Sequence, residues 1–223
     1  MTLNAHRRGT DAGSARQMVV FVHGYGADGN DLISLADPLA EHMPGTVFYA
    51  PDAPNRCQMN PMGFEWFPIP WLDNSTEEAA MAGLASSATM LDTWLTDTLA
   101  AEGLTPDRLA LVGFSQGTMM SLHVAPRRDT PIAAITGFSG RLLTPERLGD
   151  VTSKPPVLLV HGDMDDMVPP KHMPEAAEAL SKAGFEVYTH VSKGTGHGIA
   201  PDGLSLCLSF MLDKLGIAVP EGS

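Results

Sequence analysis

Residues 109–120, LALVGFSQGTMM, decide the fold, because the character of the sequence changes there at one serine. Residues 109–112 form a short apolar run without polar alternation, which is typical of a strand buried on both faces of a parallel sheet. Residues 118–124 have the spacing of a helix. Ser115 lies at this junction, with a glycine two residues away on each side. A serine there is either an ordinary helix N-cap or a side chain presented at the end of a strand.

The same alternation of short apolar runs and helical patterns continues along the chain. Further strands are predicted at 18–22, 47–50, 132–135, 157–160 and 186–191. Further helices are predicted at 31–42, 75–101, 174–183 and 204–215, and the second of these begins with STEE, which resembles a capping box. Strand–helix–strand repetition predicts an α/β fold with a mostly parallel central sheet and helices on both faces.

The length of 223 residues, 43% of them hydrophobic, suits one domain with a sizeable core. We therefore predict a single domain over 1–223 with an ordered core at about 17–217, because the first 15 or so residues and the tail 220–223 look frayed. Residues 51–74 contain five prolines and no clear periodicity, which favours an irregular binding loop. No amphipathic helix is left over to form a large lid.

Composition excludes several classes of function. The net charge of −12 argues against a nucleic-acid partner, because phosphate binding needs a basic patch. Cys57 and Cys207 are too few and too far apart for a disulfide framework or a metal site, and reduced cytoplasmic thiols are expected. The polar N-terminus lacks the apolar segment of a secretory signal, and no apolar stretch is long enough to span a membrane. These observations predict a cytoplasmic location and no stable membrane insertion.

Residues 113–117, GFSQG, match the G-x-S-x-G pattern of a nucleophile elbow. Ligands of α/β folds bind at the carboxyl ends of the strands, where Ser115 is predicted to lie. The tight turn requires glycines on both sides of the serine and lifts its hydroxyl clear of the backbone. The N-terminal amides of the following helix then point toward an anion formed beside the serine.

A serine nucleophile needs a base and a carboxylate, and both follow it in the chain in the order serine, acid, histidine. His197 lies in a glycine-rich loop, 193–199, after a predicted strand. Three carboxylates, Asp163, Asp165 and Asp166, come directly after the strand at 157–160. Their spacing alone leaves open which of them would orient the histidine.

An oxyanion hole needs two amide donors, of which Gln116, after the serine, can supply one. A glycine-rich loop, HGYGADGND at 23–31, follows the first strong strand and can supply the other. A tight strand-to-helix turn explains these glycines equally well, and the two roles are compatible.

Five motifs in this order resemble those of the phospholipase/carboxylesterase family of α/β-hydrolases, which includes acyl-protein thioesterases and small bacterial carboxylesterases. The matching segments are HGYGADGNDL at 23–32, APDAPNRCQMNPMGFEWFPI at 50–69, GFSQG at 113–117, HGDMDDMVP at 161–169 and KGTGHGIAPDGL at 193–204. The resemblance extends from about residue 19 to residue 215.

The resemblance implies Ser115 as nucleophile, His197 as base and Asp165 as acid, because the carboxylate before x-x-V-P falls on Asp165 in the pattern H-G-x-x-D-x-x-V-P. It also implies that the amides of Tyr25 and Gln116 form the oxyanion hole. Many relatives have leucine at the position of Tyr25, so the acyl pocket here is expected to be narrower or more polar.

The segment after Gly63, FEWFPIPWLD, is rich in aromatic residues that can line a substrate pocket. We predict Met62, Trp66, Phe67 and Trp71 as substrate-binding residues. The alternative for the tryptophans is that they are core aromatics.

The function predicted from these features is that of a serine carboxylesterase acting on short- to medium-chain esters through an acyl-enzyme, with no cofactor and no metal. Acyl-protein thioesterase and lysophospholipase activities in the same fold are alternatives. An inactive binding module is disfavoured because no triad member is missing, and dienelactone hydrolysis because that chemistry often uses cysteine in the elbow. The expected partner is a small-molecule ester, and a homodimer is left open.

Overall fold

Seven strands form one sheet in the computed structural model, which describes residues 3–218. These residues form nine strands in all: β1 (Ala5–Gly9), β2 (Gln17–Val22), β3 (Thr46–Pro51), β4 (Asn55–Arg56), β5 (Phe64–Glu65), β6 (Leu109–Phe114), β7 (Ala134–Phe138), β8 (Val157–Gly162) and β9 (Val187–Ser192). The sheet order is β1-β3-β2-β6-β7-β8-β9, and β4 pairs with β5 in a separate hairpin. β1 is antiparallel to β3 and the other neighbours in the sheet are parallel, which confirms the predicted fold class.

Helices cover both faces of the sheet. They are α1 (Gly29–Ile33), α2 (Ala36–Ala40), α3 (Pro70–Asp73), α4 (Glu77–Glu102), α5 (Gln116–Val124), α6 (His172–Lys182) and α7 (Pro201–Leu215). Alternate residues of each central strand point to opposite faces, so that Val20 joins a core with α4, α5 and α6, whereas Phe21 joins a core with α1, α2 and α7. Burial on both faces explains the uninterrupted apolar runs of the central strands. No helix of residues 3–218 is long and apolar enough to cross a membrane.

Several predicted boundaries are corrected by tertiary contacts. The single helix predicted at 31–42 is divided into α1 and α2. The strand predicted at 132–135 begins later and continues to Phe138, because parallel pairing with β6 and β8 extends it toward the site. Thr76, and not Ser75, caps α4, its hydroxyl accepting from the Ala79 N–H at 3.1 Å.

The N-terminal residues predicted to be frayed form the edge strand β1, which is a correction. Its polar sequence, AHRRG, carries no strand signal because an antiparallel edge strand need not be apolar. Arg7 connects β1 to the end of α4, with its Nη2 3.1 Å from Glu102 Oε1. The predicted frayed tail, 220–223, lies outside the described residues.

The segment 51–74, predicted to be an irregular loop, contains the β4–β5 hairpin and the short helix α3. The hairpin docks on the loop after β2: Gly26 N–H donates to Phe64 O, and Phe64 N–H donates to Ala27 O, each at 2.8 Å. The proline-rich segment is therefore folded, and it packs at the carboxyl ends of the strands, directly beside the end of β2.

Candidate active site

Ser115 lies between β6 and α5 in a strained backbone conformation, with φ +55° and ψ −115°. Non-glycine residues rarely adopt positive φ, so the surrounding structure must hold it there. The Ser115 N–H donates to Phe138 O at 2.8 Å, which ties the turn to the neighbouring strand β7. The Ser115 side chain does not cap α5, so the simple N-cap interpretation does not describe this serine.

The two glycines of the elbow are required by close backbone approach. A Cβ at Gly113 would lie 2.5 Å from Gly117 O. A Cβ at Gly117 would lie 1.8 Å from Val22 O at the end of β2. Helix α5 therefore starts pressed against both β6 and β2, a geometry that only glycine permits at these positions.

Asp165 and His197 are brought together across the ends of β8 and β9. His197 Nδ1 lies 2.8 Å from Asp165 Oδ2, and the Asp165 side chain is completely buried. The other two acids are exposed: Asp163 accepts from the Gly194 N–H at 2.6 Å, and Asp166 lies on the surface. Of the three carboxylates, Asp165, which the family resemblance implies as the acid, is the one that faces the histidine.

The Asp165 carboxylate is stabilised as an anion. Burial by itself raises the pKa of this group, but hydrogen bonds from the Val168 N–H and from His197 outweigh burial and hold the pKa below its usual range. Asp165 Oδ1 accepts from the N–H groups of Met167 at 3.0 Å and Val168 at 2.8 Å. His161 Nε2 lies 3.3 Å from Asp165 Oδ2. The carboxylate therefore stays ionised at neutral pH and oriented toward His197.

The His197 ring packs beside the elbow, with its centroid 4.9 Å from that of Phe114. The loops that carry the acid and the histidine also touch, since a Cβ at Gly162 would lie 2.2 Å from Thr195 O. Within residues 3–218 no hydrogen bond joins the Ser115 hydroxyl to the His197 ring. Such bonds are often long without substrate and tighten when the reacting complex forms.

The loop after β2 approaches the serine closely, because a Cβ at Gly24 would lie 3.2 Å from Ser115 Cβ. The Tyr25 N–H donates to no group among residues 3–218. The Gln116 N–H is the first of α5, and the first N–H groups of a helix have no intrahelical acceptor. Both predicted oxyanion donors are therefore backbone amides beside Ser115.

His23 holds this loop in place, a role that sequence reasoning missed. Its Nε2 accepts from the Ala53 N–H at 2.9 Å, so its Nδ1 carries the proton and donates to Gly24 O at 2.7 Å. Burial lowers the pKa of His23, which keeps the ring neutral and preserves this tautomer. The only sequence signal was its position directly after a buried strand.

The Gln116 side chain has a second role that the sequence did not reveal. It is fully buried, its Oε1 accepts from the Trp66 N–H at 2.9 Å, and its Nε2 donates to Phe67 O at 2.7 Å. Trp66 Nε1 in turn donates to His23 O at 3.0 Å. The residue after the serine thus connects the elbow, the proline-rich segment and the loop after β2.

Tyr25 closes one side of the site. Its hydroxyl donates to Asp73 Oδ2 at 3.1 Å, and the same carboxylate oxygen accepts from the Ile69 N–H at 2.7 Å. Burial and the contact with Cys57 raise the pKa of the Tyr25 phenol, so it remains a hydrogen-bond donor. The tyrosine therefore ties the loop after β2 to α3, whose last residue is Asp73.

An apolar cleft, here called the Trp71 cleft, lies between residues 67–71, 77–84 and 141–144, with a volume of about 200 Å³. Its lining includes Phe67 and Trp71, two of the predicted substrate-binding residues. Trp66 is 0% exposed and packs in the core, which corrects its predicted place in a pocket wall. Met62 is 82% exposed on the hairpin and does not line the cleft, a second correction, because the hairpin turns its tip to solvent.

A larger cavity of about 560 Å³ lies between Arg16, Pro44 and Leu215, at the amino ends of the parallel strands. Ligands of α/β folds bind at the opposite, carboxyl ends of the strands. Ser115, directly after β6, therefore lies at the opposite end of the strands from this cavity. Among the described residues no cluster of three or more His, Cys, Asp or Glu is arranged to hold a metal ion.

Comparison with known proteins matches residues 10–214 to the model of the phospholipase/carboxylesterase family. The chain belongs to this family. The crystal structure of esterase PE8 is 42% identical, with a TM-score of 0.90 over 96% of this chain and 100% of that one. Acyl-protein thioesterase 1 of Kluyveromyces lactis is 30% identical over 86% of both chains. Esterase YpfH of Escherichia coli is 26% identical over 93% of this chain and 85% of that protein.

Replacement of the Gln116 side chain provides a test of the connection between the elbow and the proline-rich segment. Gln116→Ala keeps the backbone N–H but leaves the Trp66 N–H and Phe67 C=O unpaired in the interior. We expect urea denaturation to show that the free energy of unfolding falls by about 1–3 kcal/mol. The rate of p-nitrophenyl acetate hydrolysis should fall about 10-fold, because the proline-rich segment is held less firmly against α5.

Gln17→Ala is the matched control, since Gln17 is also buried and donates to Pro44 O at 3.0 Å and Thr46 Oγ1 at 2.9 Å, far from the serine. It should lose similar stability and keep its activity. Equal activities of the two variants would show that the Gln116 side chain contributes to stability alone.

Proposed function

We propose that this protein is a serine carboxylesterase that hydrolyses short- to medium-chain carboxylic esters through an acyl-enzyme on Ser115. The observation that carries the proposal is the 2.8 Å contact between His197 Nδ1 and the buried Asp165 carboxylate, at the strand edge where the strained Ser115 lies. Membership of the phospholipase/carboxylesterase family supports the reaction class.

In the first half-reaction His197 Nε2 removes the proton of the Ser115 hydroxyl while Oγ bonds to the ester carbonyl carbon. The carbonyl oxygen becomes an oxyanion, which the N–H groups of Tyr25 and Gln116 stabilise. The tetrahedral species collapses, the bond to the alcohol oxygen breaks, and His197 returns its proton to that oxygen. The alcohol leaves, and the acyl group stays on Ser115.

In the second half-reaction His197 removes a proton from water, whose oxygen attacks the acyl carbon. The same two amides stabilise the second oxyanion. Collapse breaks the bond to Ser115 Oγ, which takes the proton back from His197, and the carboxylic acid departs. Asp165 remains an anion throughout, fixing the proton on Nδ1 and stabilising the imidazolium that forms in each half.

The Trp71 cleft limits the acyl chain. Its walls are the stiff, proline-rich residues 67–71 and the start of α4, and Trp71 stands half-exposed at its side. Each methylene buried in the cleft adds about 0.8 kcal/mol of binding until the volume is filled. Longer chains must remain in water or displace the wall, so affinity should stop rising at medium length.

Thioester hydrolysis is the second candidate, because a relative of 30% identity is named acyl-protein thioesterase 1. The same serine, base and amides serve an acyl–sulfur bond, with a thiol as the leaving group. Measuring kcat/KM for short acyl-thioesters and for oxygen esters of equal chain length distinguishes the two. A higher kcat/KM for the thioesters would favour the second candidate.

Covalent labelling tests the nucleophile. A fluorophosphonate should add to one serine, and peptide mass mapping should place the adduct at Ser115. Ser115→Ala should lose several orders of magnitude in kcat, since the hydroxyl forms the bond to the acyl group. An adduct on another serine, or an active Ser115→Ala variant, would refute the mechanism.

The three neighbouring acids provide a matched series. Asp165→Asn should lower kcat by roughly 10²–10⁴, because His197 loses the carboxylate that fixes its tautomer. Asp163→Asn and Asp166→Asn alter exposed side chains and should keep most of the activity. Steady-state kinetics on one ester ranks the three, and a larger loss at Asp163 or Asp166 would assign the acid elsewhere.

A chain-length profile tests the cleft. For p-nitrophenyl esters kcat/KM should rise from acetate, reach a maximum between butyrate and octanoate, and fall for palmitate. Trp71→Ala should shift this maximum to longer chains by widening the cleft, whereas Met62→Ala, on the exposed hairpin, should leave it in place. A maximum at palmitate in the wild type would favour a lysophospholipase or acyl-protein substrate.

A further inference from the structure

Arg141 is a cation in the otherwise largely apolar Trp71 cleft. Its guanidinium lies over the Trp71 ring, with Cζ 4.3 Å from the ring centroid. Its Nε is buried and has no hydrogen-bond partner among residues 3–218. Stacking covers the flat face of a guanidinium and leaves the N–H donors around its edge free for a planar anion.

Thr144 adds a second unpaired polar atom to the same cleft. Its Oγ1 is buried without a partner among the described residues, and its backbone has φ +48° and ψ +54°, in the left-handed region. Buried polar groups are normally hydrogen-bonded, so two unpaired polar atoms beside one cleft need an explanation. Both atoms are covered in this structure, so a polar ligand group would reach them only by entering between the two side chains.

Within residues 3–218, Arg141 forms no ion pair with a residue of the cleft. Glu77 is the acidic residue in the lining, but its exposed carboxylate forms no ion pair with Arg141 in the described part of the chain. Burial lowers the pKa of Arg141 and Glu77 raises it, yet an arginine stays protonated in proteins.

The Trp71 cleft adjoins the elbow at two points. Phe67, which lines the cleft, accepts through its C=O from Gln116 Nε2 at 2.7 Å. Arg141 follows Gly140, where a Cβ would lie 3.0 Å from the backbone carbonyl oxygen of Ser115. The leaving alcohol must take its proton from His197, yet no residue of the histidine loop, 192–201, lines the cleft. The alcohol therefore lies toward that loop, and the acyl chain lies toward Arg141.

We propose that Arg141 is a specificity-determining residue that binds a carboxylate at the far end of the acyl chain, so that the preferred substrates are half-esters of dicarboxylic acids. The guanidinium edge binds the carboxylate, the Thr144 hydroxyl adds a donor, and the apolar walls cover the methylenes between the two ends. This substrate class rests on the proposed esterase reaction, whereas the carboxylate site can be tested without it.

Kinetics provide the first arm of the test. Monoethyl half-esters from glutarate to suberate are compared with ethyl alkanoates of the same carbon number, with acid release followed by pH-stat titration. At the best length the half-ester should have about a 10- to 100-fold higher kcat/KM, as expected for a charged hydrogen-bonded pair. In Arg141→Gln this ratio should fall to about one or below.

Arg56→Gln is the matched control, since Arg56 also stacks on an aromatic ring, with Cζ 4.2 Å from the Phe64 centroid, and lies outside the cleft. It removes the same net charge and should keep the wild-type ratio. A ratio that falls equally in both variants would mean general electrostatic attraction and would overturn the proposal. So would a ratio of one in the wild type.

Binding to the Ser115→Ala variant provides the second arm, which does not depend on turnover. Calorimetry should show monoethyl adipate binding about 10- to 100-fold more tightly than ethyl hexanoate, and the added Arg141→Gln change should abolish the difference. Absence of hydrolysis of any ester by the wild type, with this binding preference retained, would reject the esterase and keep the site. Equal binding of the two probes would reject the site itself.

Discussion

The positive φ of Ser115 is the constraint on which the rest of this site depends. A serine at φ +55° is unfavourable on its own, and close packing of α5 against β6 and β2 holds it there. Gly113 and Gly117 permit this approach because neither carries a Cβ. The strain places the hydroxyl at the strand end and leaves the Gln116 N–H free beside it. The sheet, with its parallel strands and short connections, is what fixes this geometry.

Polar groups behind the serine are as important as those that face substrate. The neutral His23 ring fixes Gly24, and the Gln116 side chain holds the backbone of Trp66 and Phe67. These contacts hold together the loop after β2, the proline-rich segment and the start of α5, which are far apart in the chain. An oxyanion hole stabilises charge only when its donors are already in position, so in the proposed mechanism this buried network would hold the donors.

Two kinds of electrostatic environment lie on either side of Ser115. On the side of β8 and β9, a buried anion, Asp165, is fully hydrogen-bonded and directs His197. On the side of α4, Arg141 and Thr144 have polar atoms without partners among residues 3–218, in a cleft that is mostly apolar. The first arrangement is complete without ligand, as a reaction centre needs to be. In the proposed mode of binding, a ligand carboxylate completes the second, which would then influence the choice of substrate.

The sequence by itself determined the α/β class, the position of Ser115 at a strand-to-helix junction, and the chain order of serine, acid and histidine, because local periodicity and glycine spacing express these features directly. It missed β1, whose polar residues become a strand only by pairing with β3. Trp66 and Trp71 are alike in sequence, yet only the packing of the proline-rich segment buries one and leaves the other 56% exposed at the cleft. Likewise, spacing alone does not distinguish Asp163, Asp165 and Asp166. Only the fold buries Asp165 against His197, because burial and hydrogen-bond partners come from residues distant in the chain.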